Sequence, residues 1–346
     1  MTETKTKPRT LKILWPLLLL IFFLAVAAGG SAVHLHRFYR TPQGDPNLTL
    51  IYTLGRGQNF NTTARQLAQA GICTSETKLR LMATLYGLDK KIKAGEYRLS
   101  GSMTPEAILS SLTRGKVHLH KLTIPEGYTV SQIAKVVEQN GLGKAERLSQ
   151  LCFSKKFIHR MNLPKGAPSL EGYLFPETYF FEKGTTEEAI ITAMVKRFKS
   201  VFTPQLQTDG KALGLTPNEV VTLASIIEKE TGATFERPLI SSVFHNRLKK
   251  KMRLETDPTV IYGIKDFNGN ITRKDLRRKT PYNTYVIRGL PPGPIASPGL
   301  AALTAAVRPE KTSYLYFVSK KNGTHHFSQS LKEHGKAVRT YQLRKR

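Results

Sequence analysis

A chain of 346 residues, 40% hydrophobic and 23% charged, is long enough for two domains and too mixed for wholesale disorder or a many-span membrane protein. Its 2 cysteines exclude a disulfide scaffold, a Cys-rich zinc module and a cysteine-held iron–sulfur cluster. Lys and Arg number 53 against 25 Asp and Glu, and the net charge of +28 calls for a polyanionic partner: nucleic acid, an anionic membrane surface or an anionic polymer.

Positions 13–33 carry no charge and are dense in Leu, Ile, Phe, Ala and Val. At about 1.5 Å per residue, such a helix spans roughly the 30 Å of a bilayer core. Lys5, Lys7, Arg9 and Lys12 precede it and hold residues 1–12 in the cytoplasm. A single-pass inner-membrane anchor with a periplasmic body is the expectation, and it puts cytoplasmic nucleic acid out of reach. A cleaved signal peptide is the alternative, with Ala25-Val26-Ala27 as its small-residue site. Residues 34–47, with Thr41-Pro-Gln-Gly-Asp-Pro46, read as a linker.

An internal repeat follows. Gly57, Phe60, Asn61, Ala64, Leu67, Gly71 and Ile72 recur at a constant offset of 70 as Gly127, Val130, Ser131, Ala134, Val137, Gly141 and Leu142. Each copy has an apolar strand-like run (50–54, 119–124), a glycine turn, and a helix capped by Asn61 or Ser131 and ended by glycine. Between the copies, Thr104-Pro105-Glu106 starts a further helix that stops before Gly115. These strand–helix units resemble LysM-type wall-binding modules, and residues 48–158 are expected to form one small α/β glycan-binding region. Cys73 and Cys152 allow either a disulfide or two buried thiols.

Residues 159–346 are expected to form a mixed domain, making the whole chain α+β. Ser169-Leu-Glu-Gly-Tyr-Leu-Phe-Pro-Glu-Thr-Tyr179 is an aromatic, turn-containing segment with Glu171 and Glu177. Thr216-Pro217-Asn218-Glu219 is a capping box with proline at the first helical position. The helix it starts is apolar nearly all round through Ile227, and Glu228 falls on the face of Val221, Ala224 and Ser225. Glu230 points the opposite way, so the two cannot form a facing pair. Desolvation and the negative helix end would both raise the pKa of Glu228, which suits a general acid. Glu228-Lys229-Glu230 as a solvated helix end is the competing reading.

A second helix is expected over 238–250, carrying Asn246 and Arg247. The loops 254–263, 281–285 and 289–299 are dense in Pro, Gly, polar and aromatic residues. A hairpin turns at Asn322-Gly323, and a basic helix closes the chain over 331–343. His325 and His326 face opposite sides of a strand and make a poor metal site.

Taken in order, Ser169-Leu-Glu-Gly-Tyr-Leu-Phe-Pro-Glu-Thr-Tyr179, Leu223-Ala-Ser-Ile-Ile-Glu-Lys-Glu-Thr231, Phe244-His-Asn-Arg-Leu248, Thr256-Asp-Pro-Thr-Val-Ile-Tyr-Gly263, Tyr282-Asn-Thr-Tyr285 and Gly289-Leu-Pro-Pro-Gly-Pro-Ile295 resemble the endolytic murein transglycosylase (YceG-like) family. The likeness covers nearly everything after the linker; His245 is its one small departure. It implies a membrane-anchored lyase that cuts peptidoglycan between N-acetylmuramic acid and N-acetylglucosamine, with Glu228 as the catalytic glutamate. Most glycoside hydrolases need two carboxylates. A lytic transglycosylase needs one, because the muramyl 6-hydroxyl rather than water closes onto C1. No cofactor and no metal is implied. Asn246, Asp257, Tyr262, Tyr282 and Asn283 are the candidate cleft residues, polar tips orienting sugars and rings stacking on them. Partners would be glycan strands, the inner membrane, and synthases or division proteins. The rival readings are a non-catalytic wall-binding scaffold and a nucleic-acid binder, and the latter lacks any recognisable module.

Overall fold

The computed structural model describes residues 11–265 and 267–343; Lys5, Lys7 and Arg9 of the expected cytoplasmic tail lie outside them. The chain divides into two compact units that meet at Leu119 and His120.

The first unit opens on α1 (Leu11–Arg40), of which Trp15–Arg40 is long and apolar enough to cross a membrane. Its large side chains from Trp15 to Leu24 are exposed, an arrangement that lipid satisfies and water does not. The helix does not give way to a linker at position 34. It continues to Arg40, and Phe38 and Tyr39 are buried in the unit's core. Tyr39 stacks on Tyr86 at 4.9 Å, and Arg40 pairs with Glu106 at 2.7 Å. Then come β1 (Thr49–Leu54), α2 (Phe60–Gln69), α3 (Glu76–Leu85), β2 (Gly95–Ser100) and α4 (Pro105–Arg114). β1 and β2 are antiparallel, with Thr49 opposite Ser100 and Leu54 opposite Gly95. Alternation sends Tyr52, Leu54, Tyr97 and Leu99 inward, against Leu67 of α2 and Leu109 of α4.

The second unit holds β3 (Leu119–Thr123, its first residue closing the unit before), α5 (Val130–Gln139), α6 (Ala145–Phe153), α7 (Lys155–Arg160) and β4 (Thr178–Glu182), with β3 paired to β4. It continues through α8 (Glu187–Val201), α9 (Pro204–Ala212), α10 (Pro217–Glu230), α11 (Arg237–Lys249), α12 (Asp257–Tyr262), α13 (Arg273–Arg277) and α14 (Leu300–Val307). The antiparallel hairpin β5 (Tyr316–Ser319) and β6 (His325–Ser328) precedes α15 (Leu331–Val338), which runs into a π turn at Arg339–Leu343. One core joins α5, α6 and α8 to Leu170 and Leu174; another surrounds α10 with Phe198, Phe244 and Leu303.

The repeat is real in three dimensions: α2 and α5 start and stop 70 positions apart, flanked by Gly57 and Gly71 in one copy and Gly127 and Gly141 in the other, all at positive φ. The caps are Asn59 and Thr129 rather than Asn61 and Ser131, because the cap oxygen must reach the N–H three residues on, at Thr62 and Gln132. The copies fall in different units. The division expected at 158/159 lies instead at 119/120, since α5 and α6 bury their apolar faces against residues that follow them. Cys73 and Cys152 are free buried thiols, one in each unit.

Candidate active site

Both halves of the α10 capping box form: the Thr216 hydroxyl accepts the Glu219 N–H at 3.3 Å, and the Glu219 carboxylate accepts the Thr216 N–H at 2.8 Å. Val220, Val221, Leu223, Ala224, Ile226 and Ile227 are all buried, which fixes the helix in the middle of the unit. The Ser225 hydroxyl accepts the Ile295 N–H at 3.0 Å and fastens the Pro/Gly-rich loop to this helix. Gly172, at φ 81°, admits no Cβ against Pro294 and Val221, so the 169–179 segment can pack only with glycine there.

At the end of α10, the Glu228 side chain is 5% exposed. Its Oε2 accepts the N–H of Gly299, the N-cap of α14, at 3.0 Å, and its Oε1 accepts from Arg237 Nη2 at 2.6 Å. Burial pushes the carboxyl above its ordinary range, against the Gly299 amide and Arg237, while neighbouring Glu126 adds to the upward push. Glu126 reaches Arg237 at 3.3 Å. Its turn is clasped to the Pro/Gly-rich loop by two bonds, Gly127 N–H to Ser297 O at 2.9 Å and Ser297 N–H to Tyr128 O at 2.8 Å. Glu236 accepts the His325 N–H at 2.8 Å and contacts His325 Nδ1 at 2.7 Å, pinning β6 to the start of α11 and so placing Arg237. Sequence reasoning missed Glu126 and Arg237. The available signal was a cation at the first position of a helix, where the dipole disfavours it.

The other expected site residues separate into distinct clusters. Tyr262 and Tyr282 do meet, their rings 4.8 Å apart, and the Tyr262 hydroxyl donates to Glu171 at 3.3 Å. Glu171 is buried, also accepts the Val130 N–H at 3.0 Å, and is pushed up to about 7 by desolvation. Asp257 accepts the Tyr285 hydroxyl at 2.7 Å beside a cavity of about 390 Å3 that Glu230, Arg247, Tyr316 and His334 also line. Glu230 turns away from Glu228, as helical geometry requires. The partly buried Glu230 carboxylate accepts the Thr256 hydroxyl and is pushed up to about 7, first by burial and then by Asp257, so the end of this helix is not simply a solvated one. Asn246 and Asn283 lie in structural hydrogen-bond networks. The Asn246 amide donates to Thr312 O and Tyr314 O, both at 2.9 Å, and the buried Asn283 amide serves the carbonyls of Asp275, Leu276 and Arg278. Both amide nitrogens thus donate to backbone carbonyls.

The model of the YceG-like family matches residues 52–340. The chain belongs to that family. An endolytic murein transglycosylase of Bacillus subtilis is 34% identical over 90% of each chain. One from Streptococcus pneumoniae is 33% identical over 92% of this chain, which spans 63% of that longer relative. A crystal structure of a YceG-like protein from Listeria monocytogenes superposes with a TM-score of 0.58 at 34% identity, covering 84% of this chain and 99% of the other.

Proposed function

We propose that this YceG-like protein is a membrane-anchored endolytic murein transglycosylase in which Glu228 is the acid and then the base. The observation that carries the reading is the placement of Glu228: a nearly unexposed carboxyl at the end of a buried helix, bound to Gly299 N–H and Arg237 and raised above its ordinary range. The protonated carboxyl gives its proton to the oxygen linking muramyl C1 to the next sugar, and the C1–O bond breaks. The carboxylate then takes the proton of the muramyl 6-hydroxyl, whose oxygen bonds to C1. The product is a 1,6-anhydro end, and no water is consumed. The paired rings of Tyr262 and Tyr282 offer a stacking surface for sugars. The β1-α2-α3-β2 unit, with its antiparallel strand pair, supports a LysM-like role in holding glycan. Its α1 would anchor the enzyme in the inner membrane with the body in the periplasm, beside peptidoglycan synthases and division proteins, where nascent strands could be cut.

Glu228→Gln keeps the size and the acceptor oxygen but cannot donate an acidic proton. General acid–base catalysis contributes about 10²–10⁴ in rate, and one group serves both steps here, so the loss should reach the upper end of that range. Glu230→Gln should cost far less, because Gln still accepts from Thr256. Mass spectrometry of glycan products reads both variants, with thermal melting as the folding control. Anhydro ends from the wild type that vanish in Glu228→Gln support the reading. Reducing ends would make the enzyme a hydrolase, and uncut strands would make it a scaffold.

A further inference from the structure

Arg237 is shared between two carboxylates. The Nη2 that donates to Glu228 at 2.6 Å also donates to Glu126 at 3.3 Å, and Arg237 Nε is buried with no partner among the described residues. The two carboxylates differ in surroundings: side-chain exposure is 5% for Glu228 and 46% for Glu126. Glu126 is held in place by the clasp at Gly127 and Ser297, and its carboxylate end lies where a Cβ on Gly299 would sit. The glycine whose N–H grips Glu228 is therefore the one that leaves room for Glu126.

We propose that Glu126 is a positioning residue of the cleavage reaction, which by sharing Arg237 weakens the guanidinium's hold on the Glu228 anion and so lets Glu228 carry its proton. The inference rests on the reading of Glu228 as acid and base. An acid must hold its proton before the bond breaks, yet Arg237 and the Gly299 amide both donate to the Glu228 anion and favour it. The charged groups facing Glu228 are Arg237 from α11, Glu126 from the turn before α5, and Lys229 from its own helix, whose Nζ is occupied by Gly127 O at 3.3 Å. Among these, Glu126 alone is negative. It draws on the Arg237 charge and opposes a second anion beside it. When the proton passes to the glycosidic oxygen, Arg237 can close on the new carboxylate. When the 6-hydroxyl proton returns, Arg237 can lean back to Glu126.

The test is the pH–rate profile of the full chain on purified glycan strands. Its alkaline limb reports loss of the acid's proton. In Glu126→Gln that limb should move to lower pH by about half a unit to one unit, a three- to tenfold loss above the limb. Glu126→Asp keeps the charge and should bring the limb back toward the wild-type position. Glu126 is half exposed, so both variants should fold. If Glu126→Gln is too slow to profile, the carboxyl ¹³C titration of Glu228 in the labelled full chain reads the same shift. A limb or titration that stays in place overturns the inference. An active Glu228→Gln overturns the underlying reading instead, whatever Glu126→Gln does.

Discussion

At Glu171 the fold encloses a carboxyl that is 2% exposed and gives it two outside donors, the Val130 N–H at 3.0 Å and the Tyr262 hydroxyl at 3.3 Å. Its pKa rises from 4.5 to about 7, with burial as the cause. The folded state therefore keeps a proton that the unfolded chain has already lost. The stabilising contribution of this group is full below about 4.5, declines as pH rises, and is gone once pH has passed about 7. A shift of that size corresponds to about 3 kcal/mol. Glu171→Gln should retain the Val130 bond through its amide oxygen and remove the titration. Between pH 5 and 8 its melting temperature should fall less than that of the wild type, and parallel falls would show that Glu171 titrates normally. Single residues were unevenly legible in the sequence. Glu228 was legible as a carboxyl on an apolar stripe of known period, but that pattern fitted a solvated helix end equally well, and its reading as the acid came from the family resemblance. Glu126 was not legible, because it lies 111 positions from Arg237 and reaches it only through the tertiary fold.

Elements announced themselves where local chemistry decides them, as with the capping box at Thr216 and the glycine after α4. Many others were not read from the sequence, α3, β2, α6, α9, α12 and α14 among them, and two more show the physical reasons. Five-residue α13 is too short for periodicity to register, and β4 takes its definition from β3, 55 residues earlier at the Thr123–Thr178 contact. The element α1 combines two environments. From Trp15 to Leu24 its large side chains are exposed, while Phe38 and Tyr39 are buried in the first unit's core. The exposed apolar part thus passes into a folded unit without leaving the helix. With Lys5, Lys7, Arg9 and Lys12 before its apolar stretch, the positive-inside rule predicts a cytoplasmic N-terminus. A reporter active only in the cytoplasm, fused to the C-terminus, should stay silent, and the mature protein should keep residues 11–40. A bright reporter would reverse the orientation, and a chain beginning just after Ala27 would make α1 a signal peptide.

For the whole molecule, the repeat suggested one glycan-binding region over 48–158, because both copies look alike in sequence. Likeness of copies does not decide what each copy packs against. The first buries its helix beneath the β1–β2 pair, while the second buries Leu122, Val130, Ile133, Val137, Leu148 and Phe157 against Leu170, Leu174, Ile190 and Met194. Each fully buried aliphatic or aromatic side chain of this kind is worth about 1.5–3 kcal/mol, and a domain's whole stability is about 5–15 kcal/mol. Removing the second copy from this core should therefore leave no stable remainder. It would also take away Glu126, the Gly127–Ser297 clasp and the Val130 amide that Glu171 binds. A protein starting at residue 120 should melt cooperatively and cleave glycan with weakened engagement of the intact wall. One starting at residue 159 should show no cooperative melt and no cleavage. Calorimetry on the two truncations decides the point: a cooperative transition in the 159–346 protein would mean that the second copy is not part of this core.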